Sequence, residues 1–521
     1  MNDIDYMRVQ TPSGWHDLQQ DSLDAWTFAD IEVSTAQGHI TLRARETGVL
    51  RIQIGWHMSF PEGTRFVGDS FERDYGDIEF TGFNPDRIYH WYWCARLDGG
   101  PVSCWGVAIR PHAWCAWTVA PSVVDLWIDV RNGDDPLVLH GRALDACTLV
   151  IHDYDCDEFE ALRRHCAAMS QGSRPVPKRK VAGFNDWYFA YGRNCADLEY
   201  RAADFLASIW PTEGKTRPWI VIDDGWQTCH DESYNGGPWD KANASFGDMG
   251  EVASRLRHAG VEAGIWFRPL LTREEVDPEW ILRGNPDGTK VLDISHPAVL
   301  RHVSEDIRRF TEWGFALIKH DFTTYDILGC WGSDMDLNYQ ATPLHFWNRS
   351  KTTAEIFNDF YAAIRKAAGD ALLMGCNTVS HLSAGVFDLM RVGDDTSGHD
   401  FNRTRRTGVN SLAFRMPQND LFYQCDADCV GITDAIPWEL NRRWLKLLAA
   451  SGTPLFISCN PDELDAGQRN DIKRAFELAL REDSKAMPTD WAHSPYPEHW
   501  STSHGPMDLE WYPTPRFFPA E

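Results

Sequence analysis

The feature that most constrains the fold is a regular alternation of apolar segments and amphipathic helical segments after residue 180. Eight strands alternating with helices over about 300 residues is the pattern of a (β/α)8 barrel. Glycines stand where several of the predicted helices should end. The eight strand segments are KVAGFNDW, WIVIDDGW, EAGIWFRP, ALIKHDF, ALLMGCN, LMRVGDD, LFYQCDAD and PLFISCN.

The first part of the chain has a different pattern. Short alternating segments such as ITLRAR, VLRIQIGW and CTLVIHDY are separated by turn signals, which is typical of an antiparallel β-sandwich. We therefore predict an α/β protein in which a β-sandwich (1–155) precedes a (β/α)8 TIM barrel (180–482). A helix and a Pro/Gly/Lys-rich linker occupy 156–179, and a C-terminal tail occupies 483–521.

Charge and hydropathy exclude several classes of partner. The chain has 50 basic and 76 acidic residues and a net charge of −26. Nucleic acids and anionic membranes require Lys/Arg patches, so we expect neither as a partner. The first residues show no basic and apolar signal-peptide pattern, and no apolar run reaches the roughly 18 residues of a membrane span. We accordingly expect a cytoplasmic protein.

The 13 cysteines are scattered and mostly have apolar neighbours, as in WYWCARL. Without an export signal, this distribution favours buried free thiols over a disulfide framework. The closest pair, in CDADC, has no second pair or histidine cluster nearby, so a zinc site is not favoured. We predict no metal and no cofactor.

Charged side chains follow the predicted barrel strands at the edge where such barrels carry their active sites. Lys319 and Asp321 share one face of the fourth strand because side chains alternate along a strand, and His320 points the other way. Arg391 and Asp395 share a face of the sixth strand for the same reason. The charged strand ends are Asp223, Asp224, Lys319, Asp321, Arg391, Asp394, Asp395, Asp426 and Asp428.

Two chemistries fit carboxylates that converge in this way. A single Asp after a strand is most often a helix N-cap, but charged ends on several neighbouring strands indicate a pocket. Two carboxylates that flank an acetal can hydrolyse a glycoside, whereas three or four can hold Mg²⁺. Lys319, two residues from Asp321, favours the glycosidase because a cation stabilises an ionised carboxylate and competes with a metal.

The segments VIDDGWQ, GIWFRP, IKHDF and MRVGDDTS resemble, in order and spacing, the strand ends of glycoside hydrolase family 36. This family contains α-galactosidases and raffinose-synthase-like enzymes. GFNDWYFAYG and DADC fit the first and seventh strands of the same pattern, and the resemblance covers most of residues 180 to 460. It implies a retaining, exo-acting α-galactosidase with a β-sandwich ahead of the barrel.

The resemblance also implies roles for individual residues. Asp321 is expected to be the nucleophile, and Asp395 the acid/base. Asp223 and Asp224 are expected to bind the sugar's O4 and O6 hydroxyls. The expected further substrate-binding residues are Lys319 and Arg391 for other hydroxyls, Trp187, Trp226 and Trp266 as walls, and Cys376 and Asn377 beside the site.

Asp394 is a rival for the proton-donor role. By strand alternation, only one of Asp394 and Asp395 can face the sugar, and parity with Arg391 selects Asp395. We hypothesise that Asp394 raises the pKa of Asp395 through like-charge repulsion. The segment GDSFERDYGDIEF is a further candidate, because relatives place a loop of the N-terminal domain near the active site.

Several alternatives remain open at this point. A galactosyl transferase of raffinose-synthase type uses the same carboxylates with a different acceptor. An α-glucosidase or an α-N-acetylgalactosaminidase keeps the barrel and changes the pocket. Two hypotheses lie outside the glycosidases and glycosyl transferases: a Mg²⁺-dependent barrel enzyme and a catalytically inactive sugar-binding protein. The expected partner is an α-galactoside or related oligosaccharide, and the sequence leaves a homo-oligomer open.

Overall fold

The computed structural model describes residues 3–96, 100–211, 216–231 and 233–511. Antiparallel strands occupy the first part of the chain, and a parallel sheet with surrounding helices follows. The last part of the predicted tail, 512–521, lies outside the described residues.

The N-terminal part is an antiparallel assembly in the order β2-β1-β7-β12-β11-β9-β10-β13-β6-β5-β4-β3, with β8 paired to β9. It confirms the predicted β-sandwich. Strands β7, β9, β10 and β11 contribute Trp56, Trp93, Trp105 and Trp117 to a buried cluster in which the contacting rings lie 5.3–6.1 Å apart. These indoles are core packing. The strands are β1 (Tyr6–Thr11), β2 (Gly14–Asp17), β3 (Gln19–Ser22), β4 (Ala25–Phe28), β5 (Ile31–Ser34), β6 (His39–Arg43), β7 (Arg51–His57), β8 (Arg65–Asp69), β9 (Ile88–Arg96), β10 (Val102–Val107), β11 (Trp114–Ala120), β12 (Val123–Asp129) and β13 (Ala143–Tyr154).

The second part confirms the predicted barrel, because all eight predicted strand segments form parallel strands in chain order around one sheet. The seventh strand is split into β23 and β24, which pair with β22 and β25 respectively. Asp428, between them, has a left-handed φ of 76°. The strands are β14 (Ala182–Asn185), β15 (Trp219–Ile222), β16 (Glu262–Phe267), β17 (Leu271–Thr272), β18 (Ile281–Gly284), β19 (Lys290–Leu292), β20 (Leu317–His320), β21 (Leu372–Gly375), β22 (Leu389–Arg391), β23 (Gln424–Asp426), β24 (Val430–Ile432), β25 (Leu455–Cys459), β26 (Ala486–Pro488), β27 (His499–Thr502) and β28 (Gly505–Asp508). Strands β17–β19 and β26–β28 form two small separate sheets.

Helices connect the barrel strands and end where the sequence predicts. Gly314 and Gly452 cap two of them with φ of 102° and 81°, a conformation that costs an L side chain energy and glycine little. The helices are α1 (Glu158–Met169), α2 (Trp187–Ala190), α3 (Ala196–Ile209), α4 (Met249–His258), α5 (Pro297–Trp313), α6 (Thr323–Leu328), α7 (Thr353–Ala368), α8 (Ser380–Ser383), α9 (Phe401–Arg403), α10 (Asn410–Arg415), α11 (Trp438–Ser451) and α12 (Ala466–Ala479). The short fifth connection holds only the four-residue helix α8.

The sandwich and the barrel are held together by buried polar contacts. The Asp69 carboxylate of β8 lies 2.7 Å from the Arg415 guanidinium of α10, and both side chains are buried. Trp91 of β9 stacks on His381 of α8 with ring centroids 5.1 Å apart. One hydrophobic cluster includes side chains from both parts. The N-terminal strands are therefore placed firmly against the barrel mouth.

The cysteines differ in one respect from the expectation of free thiols. Cys94 and Cys104 are directly opposite each other on β9 and β10 and form a disulfide. The pairing depends on strand register, which isolated cysteines in a sequence do not reveal. The other eleven cysteines are free. None of the helices in the described ranges is long and apolar enough to cross a membrane.

Candidate active site

A cavity of about 380 Å³ opens at the carboxyl ends of the barrel strands. Seven of the residues predicted for the site line it, together with Asp394, the rival for the proton-donor role, and six residues that were not predicted. The first group is Trp187, Asp223, Asp224, Trp266, Lys319, Asp321 and Asp395; the six are Arg73, Tyr75, Asn235, Phe322, Trp331 and Arg403.

A larger cavity of about 560 Å³ lies elsewhere, between α1 and strands β26 and β27. Within the described part of the chain, its lining includes none of the predicted site residues. The charged strand ends converge on the smaller cavity, so we place the candidate chemistry there.

Asp321 is held in place at the end of β20. One carboxylate oxygen accepts a 3.0 Å hydrogen bond from the Trp266 indole, and the other accepts a 2.7 Å bond from the Phe322 backbone N–H. Each carboxylate oxygen accepts one of these two bonds. The bonds fix the orientation of the carboxylate, which still borders the cavity.

Lys319 is paired differently from what the sequence suggests. Its ammonium lies 2.7 Å from Asp223 Oδ2, because β15 and β20 are separated only by β16 in the sheet, and no pairing with Asp321 is formed. Burial alone lowers the pKa of Lys319, but the negative charge of Asp223, together with Cys376 and Asp321, outweighs it, and the net pKa is raised above its ordinary value. The lysine therefore stays charged in the floor of the cavity.

His320 lies on the opposite side of the same strand. Its ring is buried, contacts the Thr323 hydroxyl and stacks on Phe387 at 5.5 Å. Burial lowers its pKa to about 3, so it is neutral. It takes no part in the cavity, as the strand alternation predicts.

Asp223 and Asp224 occupy the turn after β15. Asp223 Oδ2 accepts bonds of 2.7 Å from both Asn185 and Lys319. Asp224 Oδ1 accepts from Gln227 at 2.7 Å and contacts His230 Nδ1 at 3.1 Å. The bond to Asp224 raises the pKa of His230. Both carboxylates are thus fixed from behind and present to the cavity.

Asp394 and Asp395 both line the cavity, which corrects the prediction that only one of them can. Alternation applies within a strand, but β22 ends at Arg391 and both aspartates lie in the irregular segment after it. Asp394 pairs with Arg73 at 2.9 Å and with Arg403 at 2.8 Å. Parity with Arg391 therefore does not distinguish the two carboxylates.

The surroundings of Asp395 also overturn the hypothesis of a raised pKa. Burial alone raises it, but the positive charges of Arg391 first, and then of Arg73, Lys319 and Arg403, lower the pKa of Asp395 to about 2. Arg391 lies 3.2 Å from Asp395 and 2.9 Å from Asp428. In this structure Asp395 is an ionised carboxylate among cations.

The N-terminal segment Glu72–Tyr75 builds one wall of the site. Asp74 pairs with Gly393 as a parallel bridge, with its N–H 2.8 Å from the Val392 carbonyl. This pairing places Arg73 in the lining of the cavity, where it contacts Asp394. The segment GDSFERDYGDIEF suggested such a contact, but no local pattern identified Arg73 and Tyr75.

Glu72 supports this segment from beneath. It is fully buried and accepts hydrogen bonds from Thr324 at 2.5 Å, Tyr75 at 2.8 Å and Asn377 at 3.1 Å. Asn377, predicted beside the site, is therefore a support for Glu72 and does not line the cavity. Cys376 is also behind the lining, with its sulfur 3.5 Å from Arg73 and 3.8 Å from Arg391.

Two further predicted residues lie behind the cavity. Trp226 is fully buried and donates from its indole to the Trp266 carbonyl at 2.8 Å, so it backs the wall that Trp266 forms. Arg391 is 1% exposed and acts through its contacts with Asp395 and Asp428. Among the described residues, no group of three or more His, Cys, Asp or Glu side chains is arranged to hold a metal ion.

The arrangement defines a class of fold: a β-sandwich followed by a barrel, as in the α-galactosidases of glycoside hydrolase family 36. The α-galactosidase from Thermus thermophilus, solved with p-nitrophenyl α-D-galactopyranoside, superposes with a TM-score of 0.63 at 18% identity over 97% of this chain and 99% of that one. The family 36 α-galactosidase from Geobacillus stearothermophilus, solved with stachyose, gives 0.63 at 12% identity over 96% and 79%. These similarities establish the fold.

Sequence comparison gives weaker support. No family model matches the chain. A bifunctional α-galactosidase/sucrose kinase of Mediterraneibacter gnavus is 24% identical over 222 residues, which is 39% of this chain and 21% of that protein. The match therefore spans about a fifth of that relative's length.

Proposed function

We propose that the chain is a glycoside hydrolase that removes terminal α-galactosyl groups with retention of configuration. The observation that carries this proposal is the position of Asp321 and the Asp394/Asp395 pair in the lining of one cavity of about 380 Å³. Carboxylates on either side of a bound sugar are what a double displacement needs. The neighbouring folds are those of α-galactosidases solved with α-galactosides.

In the first step, Asp321 attacks the anomeric carbon while the bond to the leaving oxygen breaks. The leaving oxygen takes a proton from the acid/base, for which we retain Asp395 with Asp394 as the rival. The product is a β-galactosyl ester of Asp321. In the second step water attacks the same carbon, its proton passes to the acid/base carboxylate, and Asp321 is released.

Because the neighbouring cations lower the pKa of Asp395, the proposed mechanism has this carboxyl acquire its proton when substrate binds. A neutral sugar that displaces water from the cavity increases the cost of a buried charge and favours the protonated carboxyl. The cations Arg73 and Arg391 oppose this change. The same cations stabilise the carboxylate after the proton has left.

The other lining residues have binding roles in this proposal. Asp223 and Asp224 accept from the sugar's O4 and O6 hydroxyls, and Lys319 donates to a neighbouring hydroxyl. Trp187 and Trp266 form the apolar walls. A second cavity of about 510 Å³ adjoins the first and shares Trp187, Asp224 and Asn235 with it. It leaves room for the rest of an oligosaccharide.

The proposal is tested by hydrolysis of aryl α-galactoside, α-glucoside and α-N-acetylgalactosaminide. We expect the galactoside to be preferred, and Asp321→Asn to lose at least about a thousandfold in kcat. The control is Asp336→Asn, because Asp336 is exposed. Asp326→Asn is unsuitable as a control, because Asp326 is buried against Arg268. Preference for another sugar redirects the proposal, and an active Asp321→Asn enzyme refutes it.

Two further measurements separate the remaining alternatives. A transferase of raffinose-synthase type yields galactosylated products when a concentrated sugar acceptor is present, whereas a hydrolase yields galactose. A Mg²⁺-dependent enzyme loses activity with EDTA, and the proposed mechanism does not.

A further inference from the structure

A second pair of carboxyl groups lies behind the turn that carries Asp223 and Asp224. Asp186 follows β14, and Glu199 lies in the first turn of α3. Both side chains are fully buried and neither lines the cavity. Nothing in the proposed reaction uses them.

Asp186 holds the backbone of this turn. One of its oxygens accepts a 2.9 Å bond from the Asp223 N–H, and the other accepts a 2.7 Å bond from the Asn194 amide. The same amide donates to the carbonyls of Asp223 and Asp224 at 3.1 and 3.2 Å. Asp186 therefore binds a backbone N–H of the turn, and Asn194 binds two of its carbonyl oxygens.

Glu199 lacks the partners that a buried anion requires. Within the described ranges, no N–H or O–H group donates to either of its carboxyl oxygens. An unpaired buried carboxylate is strongly disfavoured, so burial favours the protonated form of Glu199. A protonated carboxyl needs an acceptor, and the side-chain partner beside Glu199 is the Asp186 carboxylate.

We propose that Glu199 and Asp186 share one proton and that this pair is a positioning unit for the turn that carries Asp223 and Asp224. The inference rests on the proposed function, because there the two turn carboxylates bind the sugar. Glu199 supplies the third hydrogen bond to Asp186 and keeps the pair at a single negative charge.

The electrostatic surroundings support one shared proton. Burial, and then the charge of Asp186, raises the pKa of Glu199 well above its ordinary value. Cys195 acts in the same direction, and Arg201, which opposes it, lies 3.2 Å from the exposed Asp462. Asp186 in turn faces Asp223, whose charge is balanced by Lys319.

The pair predicts a pH dependence of substrate binding. Loss of the shared proton at high pH places two adjacent anions behind a third carboxylate, and the turn must shift. We expect KM for an aryl α-galactoside to rise on the alkaline side while kcat changes less. A carboxyl with a raised pKa in the folded state also lowers stability as pH rises, so unfolding should become easier over the same range.

Substitutions at Glu199 separate hydrogen bonding from titration. Glu199→Gln keeps an N–H donor for Asp186 and removes the titrating proton, so KM should stay near the wild-type value at neutral pH and lose its alkaline rise. Glu199→Leu removes the donor, and we expect KM to rise about tenfold. Asp197→Asn, on an exposed position of the same helical turn, is the matched control.

A readout that does not depend on activity completes the test. The infrared difference spectrum of the wild type minus Glu199→Gln at neutral pH should contain the C=O stretch of one buried protonated carboxyl, and the difference isolates it from other buried carboxyls with raised pKa, such as Asp74. Absence of this difference band, wild-type KM in Glu199→Leu, or an equal rise in KM in the Gln and Leu variants overturns the proposal. If the wild type hydrolyses no α-galactoside, the proposed function fails, while the infrared band and the pH dependence of unfolding still test the shared proton.

Discussion

At the scale of single residues, the site is organised by which cation meets which carboxylate. Lys319 neutralises Asp223, Arg391 pairs with Asp395 and Asp428, and Arg73 pairs with Asp394. Asp321 has two neutral N–H donors, from Trp266 and from the Phe322 backbone. In the proposed mechanism, a nucleophile oriented by neutral donors keeps its charge available for the anomeric carbon.

The two aspartates after β22 can be separated by leaving-group dependence. Without its proton donor, an enzyme cleaves substrates with poor leaving groups about 10²- to 10⁴-fold more slowly, whereas an activated leaving group departs without help. We expect this pattern for Asp395→Asn, measured as kcat/KM for phenyl and dinitrophenyl α-galactosides. Asp394→Asn should lower kcat/KM for both substrates by similar, smaller factors.

The reverse pattern assigns proton donation to Asp394. In that case Asp395, with its pKa lowered to about 2 by Arg391 and its neighbours, is an electrostatic partner only. Equal and small effects in both variants contradict the two-carboxylate mechanism.

At the scale of elements, the strands and helices of the barrel could be predicted and the cavity wall could not. Every strand segment has a local pattern of apolar residues, and Lys319 and Asp321 lie inside or directly after one. The sequence predicts Trp226 and Trp266 alike as walls of the site, and only the fold shows that one indole backs the other. Arg73 enters the site through the pairing of Asp74 with Gly393, which are far apart in sequence.

This pairing gives a prediction for Gly393. A Cβ at this position comes within 2.3 Å of both the Ser411 hydroxyl and the Thr407 carbonyl. Gly393→Ala should therefore displace the segment that carries Asp394 and Asp395, lower the free energy of unfolding by about 1–3 kcal/mol and reduce kcat. Chemical denaturation and kinetics on the same preparation measure both effects.

Gly82→Ala is the matched control, because a Cβ there meets no atom within 4 Å. It should leave stability and kcat unchanged. A Gly393→Ala enzyme with wild-type stability and kcat contradicts the close packing of Gly393 against Ser411 and Thr407.

At the scale of the whole molecule, the sandwich part of the chain contributes Arg73 and Tyr75 to the candidate site. The buried Asp69–Arg415 pair joins β8 to α10, and Arg415 also donates to the Glu72 carbonyl at 2.5 Å. These contacts place the Glu72–Tyr75 segment against the barrel mouth. The order of sandwich and barrel was predictable from strand patterning, whereas this docking depends on buried charges whose partners are distant in sequence.

In the proposed mechanism, Asp321 forms a covalent bond to a galactosyl group, and the neighbouring carboxylates act on the same glycosidic bond. The most direct test is the product formed by Asp321→Ala from an aryl α-galactoside in the presence of azide. Azide fits the space of the missing carboxylate and attacks from the same side, so the account predicts restored turnover and a β-galactosyl azide, identified by NMR. An α-galactosyl azide, or hydrolysis by Asp321→Ala without azide at the wild-type rate, contradicts it.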